Sequence, residues 1–141
     1  MGERAAVRAA PAGPGAVTEP SFPGLVPGLR GERKAMVTRS MATTHAGGSG
    51  VLMAAWMILE MELAAQDSTQ RFLPEGYTTV GYEICVRHRR PTPVGESFVT
   101  RTELLEVDGR KLLFRVEAHN PRELIGEGTL RRTIVRQGRL G

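Results

Sequence analysis

One helical segment in a chain otherwise made of strands is the feature that most limits how this protein folds. Residues 51–72, VLMAAWMILEMELAAQDSTQRF, are apolar on almost every side as far as Ala65. A helix of that kind is enclosed by other elements over most of its surface. The segments after it alternate with the period of strands. We therefore predict a single central helix that is covered by a sheet.

Five segments carry the strand pattern. The first, residues 32–40, is weak and precedes the glycine-rich loop THAGGSG at residues 44–50. The four after the helix are YTTVGYEICVRH, SFVTRTELLEV, RKLLFRVEA and LIGEGTLRRTIV, at residues 77–88, 97–107, 110–118 and 124–135. Asp108 and Gly109 join the second and third of these with the strongest short hairpin signal. The order predicts an α+β domain with four strands in an antiparallel meander, whose exposed edge invites a partner subunit.

Two strands carry more detailed expectations. Gly126 and Gly128 lie on one face of the last strand, which indicates that another element packs closely against the backbone there. In residues 77–88, strict alternation puts on one face His88 and four apolar side chains, Val80, Tyr82, Ile84 and Val86.

The length of the chain limits its organisation. The 141 residues suffice for one domain with a real core. Residues 1–30 hold five of the nine prolines and show no periodicity, so we predict a flexible leader there. The folded domain is predicted over residues 31–137, and residues 138–141 form a short tail.

The charge distribution disfavours nucleic acid as a partner. The formal net charge is +4, but the basic residues are dispersed among 15 acidic ones and aromatic residues make up only 5%. Nucleic-acid binding needs a concentrated basic stripe or a platform for base stacking. An anionic small ligand remains compatible with this pattern.

The cysteine count and hydropathy bear on the compartment. Cys85 is the only cysteine, so no intrachain disulfide forms, and its apolar strand predicts a small buried side chain. No apolar run approaches the roughly 18 residues of a membrane span. The N-terminus lacks a hydrophobic signal core, so we predict a cytoplasmic protein.

Two glutamates interrupt the apolar helix. Glu60 and Glu62 lie about 200° apart on the helical wheel, so they do not share a face. A buried carboxylate costs several kcal/mol unless it is paired, hydrogen-bonded or protonated. Each residue is therefore either a rim glutamate paired with an arginine or a general base with a raised pKa. The pattern alone does not choose between them.

The histidines and the glycine-rich loop are less specific. His88 ends its strand and is equally compatible with a structural and a catalytic role. His45 and His119 are dispersed and show no metal-ligand spacing, so we expect no metal. THAGGSG lacks the Gly-Lys-Ser/Thr ending of a P-loop, although its position before a helix suits its amides to an anion or a carbonyl oxygen.

Taken together, the motifs resemble a known family. TVGYEICVRH with its Thr-Pro-x-Gly turn, LLEVDGRKLLFRVEAHN and LIGEGT resemble the hot-dog-fold thioesterases, most closely the fluoroacetyl-CoA thioesterase-like group. The resemblance covers about residues 30–136 and is most specific over residues 79–120. It implies a curved antiparallel sheet wrapped around one long central helix. It also implies a homodimer whose subunits join their sheets and build the active sites between them.

The resemblance assigns roles to individual residues. The family's catalytic set is a threonine at the helix start, a glutamate eight residues later and a histidine 26 further on. These positions fall on Ala54, Glu62 and His88, so the threonine hydroxyl is missing here. A glycine near the thioester matches Gly81, and the family's aromatic gate falls in the glycine region around Gly48, so selectivity for fluoroacetyl is not implied.

The implied activity is hydrolysis of a small acyl-CoA thioester, with coenzyme A as part of the substrate and no separate cofactor. Glu62 attacks the carbonyl or activates water, and His88 assists proton transfer, so we expect these two side chains to face each other. Backbone amides near Gly81 or at residues 47–50 would stabilise the oxyanion. The candidates for binding the CoA phosphates are Arg89, Arg90, Arg131 and Arg132.

Two other functions stay open. A non-catalytic hot-dog protein that holds an acyl-CoA or a small ligand is favoured by Ala54. A hot-dog dehydratase acting on hydroxyacyl thioesters would use the same carboxylate and imidazole. The retention of Glu62 and His88 together favours an enzyme over a purely structural protein.

Overall fold

The computed structural model describes residues 21–138 as one helix and seven strands. The strands are β1 (Arg30–Met36), β2 (Ala42–Thr43), β3 (Val51–Leu52), β4 (Tyr77–His88), β5 (Ser97–Asp108), β6 (Lys111–His119) and β7 (Leu124–Arg136). The helix, α1, spans Ala54–Gln70, and a short 3-10 turn spans Arg39–Met41. No helix within the described residues is long and apolar enough to cross a membrane.

A five-stranded antiparallel sheet of order β1-β5-β6-β7-β4 packs against α1. The predicted α+β class is confirmed, and so is the hairpin, because Gly109 occupies the turn between β5 and β6 with a φ of 61°. The predicted meander is wrong at one strand, since β4 pairs with β7 and not with β5. Pro91 and Pro93 explain the difference: they lack amide donors and cannot continue a ladder, and Pro93 forms a bridge with Val51 instead.

A β-bulge in β4 changes which side chains share a face. The register of β4 against β7 shifts between Gly81 and Glu83. Before the bulge Val80 lies opposite Thr133, and after it Ile84 lies opposite the buried Leu130. Residues opposite each other in an antiparallel pair point to the same face. The expected grouping of Val80 and Tyr82 with Ile84, Val86 and His88 is therefore wrong, because only the last three share the helix-facing side.

The apolar core lies between α1 and the sheet. Met57, Met61 and Ala65 of the helix are fully buried and pack with Phe98 and Phe114 of the sheet. This enclosure confirms the central helix, although it begins three residues later than the apolar pattern, because Val51 and Leu52 pair with β2. Gly126 makes the close contact that its position predicted, since a Cβ there would lie 2.5 Å from Sδ of Met57.

Two further expectations concern residues 1–30 and Cys85. Residues 1–20 of the predicted leader lie outside the described part, but Leu25 is buried and Phe22 packs edge-on against Tyr77. Isolated apolar side chains thus hold part of this non-periodic segment on the core. Cys85 is exposed and not buried, because it points away from α1 on β4, a strand at the edge of the sheet.

Candidate active site

Glu62 reaches the sheet where an arginine interrupts the buried face of β7. Arg132 follows Leu130 and precedes Ile134 on the helix-facing side of the strand, and its side chain is only 6% exposed. Its Nε donates to Oγ1 of Thr79 and its Nη2 to the carbonyl of Thr79, both at 2.9 Å. Its Nη1 lies 3.3 Å from Oε1 of Glu62. Burial lowers the pKa of Arg132, and the charge of Glu62 opposes that shift.

Gly81 provides the space that the Glu62 carboxylate occupies. A Cβ at position 81 would overlap Oε1 of Glu62 and would lie 3.3 Å from Nη1 of Arg132. The position therefore requires glycine for close approach and not for an unusual backbone conformation. The side chain of Glu62 remains 28% exposed, which leaves the carboxylate accessible from the free edge of β4. Glu62, Gly81 and Arg132 form what we call the carboxylate cluster.

Glu60 has the other role that the sequence allowed, that of a glutamate paired with an arginine. Its side chain is 9% exposed, and Oε1 accepts a hydrogen bond of 3.0 Å from Nε of Arg33 on β1. Arg33 also pairs with Asp67 at 3.1 Å, so one cation joins β1 to two acidic residues of the helix. This ion pair fastens α1 to the edge of the sheet and leaves Glu60 away from β4.

His88 lies at the far end of β4, opposite Gly126. The carbonyl of Ile125 accepts hydrogen bonds from the amides of Arg89 at 2.7 Å and Arg90 at 3.2 Å, which fixes the chain directly after the histidine. Nε2 of His88 is buried and has no hydrogen-bond partner among the described residues.

The protonation of His88 follows from its surroundings. Burial lowers the pKa of the imidazole, and a hydrogen bond with the backbone of Arg90 partly opposes this. A lowered pKa favours the neutral ring at neutral pH, and Nε2 of that ring lies in the interior of the subunit.

The structure does not bring Glu62 and His88 together within one chain. Glu62 of the helix contacts Gly81 of β4. His88 lies seven residues after Gly81 on the same strand. At about 3.3 Å per residue the two ends of this segment are about 20 Å apart, far beyond hydrogen-bond reach. The expectation that these side chains face each other is therefore wrong for a single subunit.

The remaining predicted residues fall at three places. Ala54 is the first residue of α1, and it is exposed. Gly48 lies in the loop at residues 44–50 with a φ of 73°, and a Cβ there would meet nothing within 4 Å. Arg89 and Arg90 line a cavity of about 720 Å³ beside His88, together with Arg87.

Sequence reasoning missed the part that Arg132 plays. It grouped this arginine with Arg131 as a contact for phosphate, but Arg131 pairs with Glu83 on the outer face and Arg132 is buried. The signal was present in the sequence as a lone arginine at an inward position of an alternating strand. His119 pairs with Glu117 at 3.0 Å, and residues 21–138 contain no group of three or more potential metal ligands.

Comparison with known proteins identifies the family. The model of the fluoroacetyl-CoA-specific thioesterases matches residues 35–138, which is most of the chain. This chain belongs to the fluoroacetyl-CoA-specific thioesterase family. A solved structure of the fluoroacetyl-CoA thioesterase superposes with a TM-score of 0.75 at 30% identity, over 80% of this chain and 90% of that one.

Two further proteins are similar to this chain. The fluoroacetyl-CoA thioesterase of Streptantibioticus cattleyicolor is 35% identical over 85 residues, which are 60% of this chain and 61% of that protein's length. A Thermus thermophilus member of the thioesterase superfamily superposes with a TM-score of 0.72 at 27% identity, covering 79% and 84% of the two chains. The hot-dog fold, one helix against a curved antiparallel sheet, is therefore shown.

Proposed function

We propose that the protein hydrolyses a small acyl-CoA thioester, as a homodimer in which Glu62 and His88 act together. The observation that carries the proposal is the carboxylate cluster: a buried arginine and a glycine without a side chain hold one accessible carboxylate at a free sheet edge. A glutamate with a purely structural role needs only a cationic partner, as the pairing of Glu60 with Arg33 shows. The missing side chain at Gly81 leaves the space in which the Glu62 carboxylate lies.

The chemistry follows from the roles that we propose for the two side chains. Glu62 removes a proton from water as the water oxygen bonds to the thioester carbonyl carbon. Collapse of the tetrahedral intermediate breaks the carbon–sulfur bond and releases the CoA thiolate. His88 carries the proton from Glu62 to the departing sulfur, for which its ring turns so that Nε2 leaves the interior of its own subunit, and the products are the free acid and the thiol. Arg132 keeps the carboxylate in place, because its guanidinium is itself fixed by two hydrogen bonds to Thr79.

A second subunit is needed to complete this site. Within one chain Glu62 and His88 lie at opposite ends of the exposed segment of β4. Two β4 strands that pair antiparallel around a twofold axis run in opposite directions, so the Glu62 end of one meets the His88 end of the other. The exposed apolar side chains of Tyr82 and Ile84 lie on this edge strand and support its burial in a dimer.

The substrate assignment rests on the surroundings of His88. Arg89 and Arg90 border the adjoining cavity, and guanidinium groups suit the phosphates of coenzyme A, which enters as part of the substrate. The amide of Gly81 and the loop around Gly48 are the candidates for stabilising the oxyanion. We place the reaction in the cytoplasm, which suits the single free thiol of Cys85.

An alanine at the start of the helix is compatible with binding of the acid product. A threonine-to-alanine variant of the fluoroacetyl-CoA thioesterase has been solved in complex with fluoroacetate. In the proposed reaction water is the nucleophile, so no hydroxyl at the start of α1 is required. Restoring Ala54→Thr separates the alternatives: a large rise in rate assigns the hydroxyl a part in the reaction, and an unchanged rate supports the water route.

The test is thiol release from a panel of short acyl-CoAs, measured for the wild type, Glu62→Gln and His88→Ala. We expect each variant to lose at least about 100-fold in kcat. The matched control is Glu60→Gln, which changes the same functional group on the same helix and should retain turnover. Tight binding of the panel without turnover would leave a ligand-binding protein, and hydration of an enoyl-CoA would indicate a dehydratase.

Mixed dimers test whether the site is shared. Glu62→Gln and His88→Ala are unfolded together and refolded at equal concentration, so that subunits pair at random. If each site takes its glutamate and histidine from different subunits, half of the dimers regain one intact site of two, and activity returns to about a quarter of the wild type. If each site lies within one subunit, the mixture stays inactive and the shared arrangement is wrong.

A further inference from the structure

The free edge of β4 has a backbone pattern that limits how a second copy can pair with it. The amide of Arg89 donates to Ile125, and a Cβ on Gly126 would lie 3.2 Å from the carbonyl oxygen of Arg87. Odd-numbered residues after the bulge therefore direct their backbone groups toward β7. Because these directions alternate along a strand, Ile84 and Val86 direct theirs toward the free edge.

The faces of β4 impose a second limit. Ile84, Val86 and His88 point toward the helix side, whereas Glu83, Cys85 and Arg87 point to the outer side. Opposite residues of an antiparallel pair share a face, so a twofold axis must pass through a residue and not between two residues. Within the exposed stretch after the bulge the possible centres are residues 83 to 87.

Like charges exclude two of these five centres, and an ion pair between charged residues of β4 favours one of the other three. Centres at Glu83 or Arg87 would put two like charges directly opposite each other. A centre at Ile84 would put Cys85 opposite Glu83, and a centre at Val86 would put it opposite Arg87. With the centre at Cys85, Arg87 faces Glu83 of the partner subunit, and the pair occurs twice.

Two observations on the single chain agree with that centre. Arg87 is exposed, and no carboxylate among residues 21–138 lies within ion-pair distance of it, whereas Arg89 has Glu127 at 2.7 Å. The same centre also puts His88 opposite the bulge at Gly81 and Tyr82, beside the carboxylate cluster of the other subunit. One register thus supplies a counter-ion for Arg87 and completes the site.

We propose that two copies of the chain pair through β4 with Cys85 on the twofold axis, so that Ile84 hydrogen-bonds to the partner's Val86 and Arg87 pairs with the partner's Glu83. This proposal rests on the dimer of the proposed function and adds its register. The two Cys85 residues form a pair without backbone hydrogen bonds between them, with Cα atoms about 4.5 Å apart. That spacing permits a disulfide.

Oxidation of the reduced protein with diamide tests the register in which the two β4 strands pair. Two Cys85 thiols give up two protons and two electrons to the N=N bond of diamide, which becomes the hydrazide, and one S–S bond joins the subunits. We expect most of the wild type to run as a covalent dimer on a non-reducing gel. Cys85→Ser should run as a monomer on the gel while it sediments as a dimer and retains thiol-release activity.

Displaced cysteines test the same register at a second point. In a Cys85→Ser background, Glu83→Cys mixed with Arg87→Cys should cross-link, whereas either variant alone should not. Cross-linking of wild-type Cys85 to the Glu83→Cys variant would instead indicate a centre at Ile84 and overturn the proposal. A non-covalent dimer that gives no disulfide at Cys85 also overturns the register but leaves the shared site standing. A strictly monomeric active enzyme overturns both.

A charge exchange tests the ion pair without cysteine chemistry. Arg87→Glu puts two carboxylates opposite each other and should raise the dimer dissociation constant about tenfold or more. Adding Glu83→Arg together with Arg131→Glu, which preserves the ion pair between positions 83 and 131, should restore dimerisation. Arg101→Glu, on the outer face but distant from β4, is the matched control and should leave the dissociation constant unchanged. Failure of the triple variant to recover dimerisation contradicts the pairing of Arg87 with Glu83.

Discussion

Gly81→Ala should inactivate the enzyme with little effect on folding. The new methyl group overlaps Oε1 of Glu62, whereas contacts between carbon and oxygen atoms normally exceed 3 Å, so the carboxylate must move by about 1 Å. The obstructing atom is the end of a flexible side chain and not backbone, so rotation of Glu62 relieves the overlap. An off-rotamer side chain costs about 1 kcal/mol, and the alanine recovers part of this by restricting the unfolded chain.

The kinetic cost of Gly81→Ala is larger. A displacement of about 1 Å from the reacting geometry costs about 100-fold in rate, which corresponds to about 2.7 kcal/mol. The carboxylate also moves away from Arg132, whose Nη1 now holds it at 3.3 Å. We therefore expect kcat to fall about 100-fold while the free energy of unfolding changes by less than about 1 kcal/mol.

The assay is thiol release together with urea unfolding, for Gly81→Ala in the wild-type and Glu62→Gln backgrounds. If the methyl group acts through the carboxylate, it should cost nothing further in kcat once Glu62 is already glutamine. Near-wild-type turnover in Gly81→Ala would refute the placement of Glu62 at the reacting centre. An equal loss of kcat in both backgrounds would show that the methyl group blocks the substrate and does not displace the base.

Four further outcomes are expected. Arg33→Met should lower the free energy of unfolding by about 1–3 kcal/mol in urea titrations, because it strands the buried Glu60 carboxylate, while kcat stays near that of the wild type. Because burial lowers the pKa of His88, kcat/KM should rise with pH through an apparent pKa below 6.5. The folded state then binds fewer protons at His88 than the unfolded state, so stability should fall as pH drops below 6.5, and His88→Gln should abolish that part of the dependence. Gly126→Ala should lower the melting temperature by forcing Met57 out of its position, which calorimetry would detect.

The sequence predicted the helix and strands better than it predicted which strands pair with each other. Local signals sufficed for the helix and for the turn at Gly109, because periodicity and turn chemistry depend on a few adjacent residues. The pairing of β4 with β7 joins residues about 50 positions apart, and no local pattern encodes it. The proline turn after His88 indicates where the chain leaves the sheet. It does not indicate which strand lies at the edge.

The bulge explains why the faces of β4 were misassigned. Successive side chains of a strand point to opposite faces of the sheet. One inserted residue therefore reverses the face assigned to every later residue. The prediction took Tyr82 as part of an unbroken series and therefore put Val80 with His88. Burial of Cys85 was predicted from its apolar neighbours, but an edge strand leaves its outer side exposed, and edges depend on the order of the strands.

The sequence identified the carboxylate but not the reason that this one, of two, is suited to chemistry. Glu60 and Glu62 both pair with an arginine, so the pairing itself does not distinguish them. The difference lies in what faces each carboxylate, since Arg33 and the helix enclose Glu60, whereas Glu62 lies over the missing side chain of Gly81. A glycine on the inward face of an edge strand, with Arg132 beside it, is thus the feature that distinguishes the proposed catalytic glutamate from the structural one.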